Sequence, residues 1–395
     1  MQHLSRSLSH TKVQLFAALF ASQATVLTVS PLLKEMSGDL GVAPEAVAQM
    51  RSITGLIAGS VAVWLATSRA PRWGLRTMLL LGLASLSVAA LGMAAAPGFG
   101  AMLAVQIPAG IGIGLTLSAG MAAAGHWSAP ANRSKVLAWT LAGQPAAWVV
   151  GQPLVGAAAD VHWRLGWIAL PFLSSVVAIG LIAARPRPNE PVDNVSLRSV
   201  IVMPGIRSWV IGELFAFSAW AGTLVFSGAL FMDSHGLGVS ATSLLLAGGA
   251  IFYVVGSFSF RKRIDRSFRP YLVGMALMSA GGVMVYAFVR PTTMVTFALF
   301  SLLALVAGAR TLAGGTAGLT LGEEHRLSVM SLRTAALQFG YLIGSVTGGI
   351  AHAVGGYEVL GVTFGTLFVG AAVSHARTLS GSQRRPIHLF SQTSN

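Results

Sequence analysis

The chain has no cysteine among its 395 residues. That excludes a disulfide scaffold, thiolate metal ligands and cysteine nucleophiles. Charge is scarce as well: Asp, Glu, Lys and Arg make up only 10% of the chain, against about a quarter in a soluble domain, so an ordinary soluble enzyme is excluded. Acidic residues are the scarcest, 12 against 26 basic ones, which leaves a net charge of +14. Such an excess fits nucleic acid or an acidic surface as partner, and the positions of the bases decide between them. What remains is apolar or small, with 54% hydrophobic residues and 46 glycines.

Uncharged stretches run over 13–33, 52–68, 77–132, 136–159, 165–184, 214–232, 236–260, 270–289, 291–309, 334–357 and 359–376. A membrane helix needs about 20 mainly apolar residues, because the bilayer core is about 30 Å thick and a helix rises about 1.5 Å per residue. The longest stretch breaks at Ala96-Pro97-Gly98, and the span that opens near 293 continues past the single charge Arg310. The total is twelve helices without the polar faces of a soluble bundle. The first run continues to Leu33, longer than the about 7–15 residues of a signal-peptide core, so it reads as the first span.

With the N-terminus in the cytoplasm, Lys34, Arg51, Arg164 and Arg290 fall on the far side and Arg310 within a span, while the other 21 bases fall on the cytoplasmic side. So uneven a split is an orientation signal and predicts both termini inside the cell. It also accounts for the net charge without nucleic acid. The segment Arg185–Arg207, rich in proline and charge, separates six spans from six. The expected organisation is a bundle over 1–184, a linker over 185–207, a second bundle over 208–376 and a tail over 377–395. Equal halves of this kind suggest an internal repeat, the architecture of transporters with a central site between two bundles.

A direct comparison supports the repeat. "PRWGLRTMLLLG" (Pro71–Gly82) follows the second span and "DRSFRPYLVG" (Asp265–Gly274) follows the eighth. Here the chain resembles the major facilitator superfamily, whose signature in this loop is Asp-Arg-x-Gly-Arg-Arg before a hydrophobic helix. The first copy keeps Arg72, Gly74 and Arg76 with Pro71 in place of the Asp, and the second keeps Asp265, Arg266 and Arg269 with Phe268 in place of the Gly. The resemblance implies a charge-paired cytoplasmic latch at these residues. In the fifth span, Gln152-Pro153-Leu154-Val155-Gly156-Ala157 is similar to the Gly-Pro-x-x-Gly-Gly run associated with exporters. The family's proton-antiporter pattern carries an arginine in the fourth span, where this chain has Gln106.

Within the spans two charges stand out, since Arg at a helix centre costs about 2.5–3.5 kcal/mol on insertion scales. Arg310 has Val306, Ala307, Gly314 and Ala317 around it, room for an anionic group, a partner or a helix-end carbonyl. Glu213 shares a face with Phe217 and Trp220. Pairing with a cationic solute, carrying a proton, or pairing with Arg207 near the headgroups are all open to it. Uncharged polar residues form stripes suited to a cavity: Gln144, Trp148 and Gln152 in the fifth span, and Gln338, Tyr341 and Ser345 in the eleventh. Gln23, Gln106 and Tyr253 add single groups, and amides in lipid are costly enough to favour inward placement.

Gly55, Gly59, Gly151, Gly156, Gly248, Gly256, Gly340, Gly344 and Gly348 recur at spacings that let membrane helices approach closely. In the resembled fold their helices line the contact between halves, so a slidable seam is expected there. Gly110, Gly112 and Gly114 lie inside a span with no preceding strand, which removes a phosphate loop. His126, His162, His235, His325 and His352 fall near span edges without metal-ligand spacing.

These readings converge on an all-α membrane protein of twelve transmembrane helices in two pseudo-symmetric six-helix bundles, the major facilitator fold. The expected function is alternating-access transport of a small solute, by resemblance proton-coupled efflux of a drug-like compound or metabolite. Uptake or facilitated transport of an organic anion through Arg310 is the alternative, and a transport-inactive solute sensor is a third reading. The spans hold no constellation with catalytic spacing, so an enzyme is not expected. Nor are a cofactor, a metal or a nucleic-acid partner. The expected partners are a small-molecule solute, the lipid bilayer and protons, for a monomer in the inner membrane of a bacterium.

Overall fold

The computed structural model describes all residues except 1, 30–31, 43, 68–72, 160, 185–196 and 383–395. Among the described residues, twelve long helices carry the fold. They are α1 (Gln2–Leu27), α2 (Pro44–Leu65), α3 (Leu75–Ala95), α4 (Phe99–His126), α5 (Arg133–Ala159) and α6 (Trp163–Ala184). Then follow α7 (Ile206–His235), α8 (Val239–Ser259), α9 (Arg269–Phe288), α10 (Thr293–Leu321), α11 (326–354) and α12 (357–382). The run Arg326–Ser382 is divided at Gly355–Gly356, where Gly356 has φ 66°. That left-handed backbone, which glycine adopts without a side-chain clash, turns α11 into α12.

Among the described residues, eight helical runs are long and apolar enough to cross a bilayer, one of them, Arg326–Thr378, containing both α11 and α12. The remaining helices α1, α2 and α5 pack among them, α1 on α5 and α2 on α4. The expected linker 185–207 lies for the most part outside the described residues; its end forms a short helix, Leu197–Ile201, before Gly205 opens α7.

Both faces of the bundle follow from the order of the helices. One face, here the basic face, carries the N-terminal end of α1 and the α4–α5, α8–α9 and α10–α11 connections. Near it, a single apolar core joins the two halves, including Leu79, Met121 and Leu137 from the first and Trp209, Leu312 and Met330 from the second. Near the opposite face each half keeps its own core, one around Leu27, Met50 and Trp163, the other around Phe231, Phe300 and Phe364. Burial of side chains therefore ties the halves together at the basic end and leaves them separately packed at the other.

The glycines sort differently from the expected seam. Gly55 and Gly59 of α2 do face the other half, at Gln338 and the Phe339 ring of α11. Gly151, Gly248, Gly256, Gly340, Gly344 and Gly348 instead pack inside their own half. Gly256 meets the Leu305 backbone while Gly308 meets the Tyr253 carbonyl, so α8 and α10 touch main chain to main chain. Gly110, Gly112 and Gly114 have the same role in α4, against Thr54 and Ala58 of α2 and Gly82 of α3. Close approach within each bundle uses the missing side chains, because dispersion is what holds helices together in lipid.

Candidate functional site

A cavity of about 940 Å3, its open part included, lies between the halves. The first half contributes Gln23 of α1, Leu117 and Met121 of α4, and Gln144, Pro145 and Trp148 of α5. The second contributes Phe217 and Trp220 of α7, Tyr253 of α8, Thr311 of α10, and Arg333 and Tyr341 of α11, with aliphatic residues between them. Trp220 stacks on Tyr253 with ring centroids 5.8 Å apart, and the Gln144 amide stands 3.5 Å from Gln23 Oε1. Near Tyr341 a cation crosses from the other half, Arg51 of α2 lying 4.6 Å over the ring. The walls are thus mostly aromatic and aliphatic, with few convergent polar groups, as in a site for a small organic molecule.

At one end of the cavity lies a buried charge cluster. Arg310 Nη1 donates to Glu213 Oε1 at 2.9 Å and Arg333 Nε donates to Oε2 at 2.8 Å, with all three side chains shielded from solvent. Arg333 Nη2 donates to the Thr311 carbonyl at 2.8 Å and Arg310 Nη2 to Thr311 Oγ1 at 3.2 Å. His375 of α12 places Nε2 3.7 Å from Glu213 Oε1, and neither of its ring nitrogens is hydrogen-bonded. Phe217, one turn after Glu213 on α7, lies under both guanidiniums at 4.8 and 5.1 Å. Two glycines make the space: a side chain at Gly314 would collide with the Glu213 carboxylate, and one at Gly212 with the His375 ring. One carboxylate faces two guanidiniums, so the cluster holds an uncompensated positive charge before His375 is counted.

The sequence candidates divide on this geometry. Gln23, Gln144, Trp148, Trp220, Tyr253 and Tyr341 come together on the cavity wall. Gln106 does not. It is locked between α2, α3 and α4, accepting from Thr54 Oγ1 at 2.7 Å and donating to the Met102 carbonyl at 2.9 Å and to Met93 Sδ at 3.3 Å. Gln338 is buried against Gly55 and is not part of the wall, and Arg310 is fully buried beside Glu213. The side chain of Gln152 and the whole of Arg72 lie outside the described residues.

Three placements bear on the sequence readings. Arg333, counted among the bases of the basic face, is 1% exposed and stands with Arg310 inside the bundle. Glu213 pairs with these two arginines and not with Arg207. Among the latch residues, Asp265 pairs within its own short helix Arg261–Arg266, accepting from Arg261 Nη1 at 3.3 Å, while Gly74 caps α3 and Arg76 lies in its first turn. Arg266 ends that short helix and Arg269 opens α9. A charge pair among the described residues joins the halves at the basic face, Arg133 Nη1 to Glu323 Oε1 at 2.9 Å, with Arg326 Nη2 on the same oxygen at 3.1 Å. His375 and Arg333 had no place among the sequence candidates; the signal for Arg333 is its distance of two turns from Arg326 at the start of α11.

Comparison with known proteins agrees with this architecture. The profile of the Major Facilitator Superfamily matches residues 15–308. A search of curated proteins found no match. Among solved structures, the human organic anion transporter TETRAN is similar with a TM-score of 0.74 at 13% identity, over 93% of this chain and 99% of that one. The E. coli fucose:proton symporter FucP is similar with a TM-score of 0.70 at 14% identity, over 92% and 97%. A bacterial homologue of the iron transporter ferroportin, in its outward-facing state, gives 0.71 at 18% identity, over 96% and 100%. The chain belongs to the major facilitator superfamily. It is an integral membrane protein with the fold of solute transporters, and it is not an enzyme.

Proposed function

We propose that this chain carries a small organic anion with an apolar or aromatic body across a bacterial inner membrane by alternating access. The observation that carries the reading is Arg333: it reaches the cavity wall from a cluster in which one carboxylate faces two guanidiniums. The anionic group would bind the surplus positive charge, and Trp148, Trp220, Tyr253 and Tyr341 would hold the body. The organic anion transporter named above is alike in fold, and at 13% identity that likeness carries the fold alone. The halves are 1–184 and 208–376, joined by the linker 185–207, with both termini and the basic face in the cytoplasm. In that orientation the shared core closes the cytoplasmic side. The direction is efflux, which rests on the exporter-like segment 152–157.

The test is flux in proteoliposomes loaded with fluorescent aromatic anions and with neutral analogues. Arg333→Gln is expected to abolish anion flux and spare the neutral analogue; unchanged anion flux would overturn the reading. Anion binding without flux in the wild-type chain would make it a sensor on the same fold.

Proton coupling is a second reading, favoured by His375 lying 3.7 Å from Glu213 with both ring nitrogens free of hydrogen bonds. A proton taken up between the two would change the hold of Glu213 on Arg333. With an internal pH dye, solute flux should be accompanied by proton movement that disappears in His375→Ala. Flux with no pH signal under any gradient would sink coupling.

A further inference from the structure

At the basic end of the bundle, Lys12 of α1 and Lys135 of α5 each stand one turn before Phe16 and Trp139, whose rings meet at 6.4 Å, so the two ammoniums lie at one edge of the bundle. Among the described residues neither lysine pairs with a carboxylate, and the third cation beside them, Arg261, shares only Asp265. Lys12 precedes the uncharged stretch that opens at 13, and its ammonium is pushed below the ordinary lysine range, first by burial and then by Lys135 and Arg261. An anion with several acceptor oxygens placed between the two ammoniums offsets their repulsion.

One turn deeper the groove changes character. Phe16 follows Lys12 by four residues and Trp139 follows Lys135 by four. The Trp139 ring meets Phe16 edge-on at 6.4 Å and Phe258 of α8 at 5.3 Å, yet Trp139 remains 41% exposed on the outside of the bundle. Cations at the rim and an exposed aromatic floor one turn further in match the headgroup and first methylenes of a lipid. A free inorganic anion would use the cations and leave the aromatic layer bare.

We propose that an anionic phospholipid occupies this groove, its phosphate bridging Lys12 and Lys135 with Arg261 alongside, and an acyl chain running over Trp139 and Phe258. Because α5 belongs to one bundle and α8 to the other, this lipid spans the seam between them. The inference is independent of the transported solute.

The test uses the full chain in detergent with phospholipids brominated on the acyl chain, which quench nearby tryptophan. The signal from Trp139 is the difference between the wild type and Trp139→Phe. Brominated phosphatidylglycerol is expected to quench it at a roughly tenfold or lower mole fraction than brominated phosphatidylcholine, on the usual scale for two or three basic residues at a lipid surface. Lys12→Gln/Lys135→Gln should remove that preference, and Lys12→Arg/Lys135→Arg should keep it, which also controls for folding. Equal quenching by the two lipids in the wild type would overturn the proposal, as would an intact preference in the glutamine variant. Displacement of phosphatidylglycerol by millimolar inorganic phosphate would overturn it too, by showing a free-anion site.

Discussion

Arg333 Nε donates to Glu213 Oε2 at 2.8 Å, joining α11 to α7 with two side chains that solvent does not reach. Arg310 holds the other oxygen of the same carboxylate. Removing Glu213 therefore leaves two buried guanidiniums facing each other, whereas removing Arg310 leaves a neutral pair. Breaking a buried ion pair from one side costs about 3–5 kcal/mol. Glu213→Gln is expected to lose stability on that scale, and adding Arg310→Gln to it should recover part of the loss. Thermal unfolding of the three proteins in one detergent checks this. A double variant less stable than Glu213→Gln would show that Arg310 contributes by something other than charge.

Gly314 permits this arrangement. A methyl group there would meet the Glu213 carboxylate directly, and the Trp209 indole already donates to the Gly314 carbonyl at 3.0 Å. Neither neighbour can retreat without breaking a hydrogen bond. Gly314→Ala should cost about 1–3 kcal/mol, the usual range for overpacking, and reduce flux through displacement of Arg333. Gly274→Ala, with open space around the added atom, is the control and should leave melting temperature and flux unchanged.

The Arg133–Glu323–Arg326 contact closes the basic face across the halves, and it titrates. The hydrogen bond from Arg133, opposed by partial burial and reinforced by the fields of Arg133 and Arg326, holds the Glu323 carboxyl below the usual carboxylate range. A depressed carboxyl contributes stability that is complete above its unfolded value and lost as pH falls through the folded one. The difference in melting temperature between the wild type and Glu323→Gln should be flat through neutral pH and fade only below the ordinary carboxylate range. Glu323 is 62% exposed on its side chain, so the difference should also shrink as salt is added. A difference that persists at acid pH would mean the contact acts through packing.

Much of this architecture is legible in the sequence because lipid imposes strong constraints. Charge-free stretches of about 20 residues mark spans wherever they occur, and Glu213 and Arg310 stand out against that background. Arg333 was not legible: it stands at the border of the uncharged stretch 334–357 and looks like a loop charge. Only the helix start at Arg326 shows it to be two turns inside. His375 is likewise hidden near the end of the last apolar stretch. Gln106 misleads for the opposite reason, since an amide in a span looks like a cavity group although α2 and α4 satisfy it locally. Polarity in a span signals a partner, and the sequence alone does not say whether that partner is a solute or a neighbouring helix.

The glycines of α8 separate two kinds of close contact, and with them two outcomes of the same substitution. Gly248 faces the Phe297 ring, the far end of a side chain that can rotate away, whereas Gly256 faces the Leu305 main chain, which cannot. Ser257 also donates to the Gly308 carbonyl at 3.0 Å, tying α8 to α10 at this level. A methyl group on Gly256 must push the helices apart, and Tyr253, one turn earlier on α8, moves with it out of its stack on Trp220. Gly256→Ala is therefore expected to lower the melting temperature, in line with about 1–3 kcal/mol of overpacking, and to weaken solute binding at the cavity. Gly248→Ala should be milder in both, because only a ring has to turn. Binding measured by thermal shift with the aromatic anions, beside melting without them, distinguishes the two; equal effects at both positions would mean that the main-chain contact between α8 and α10 does not set the shape of the cavity wall.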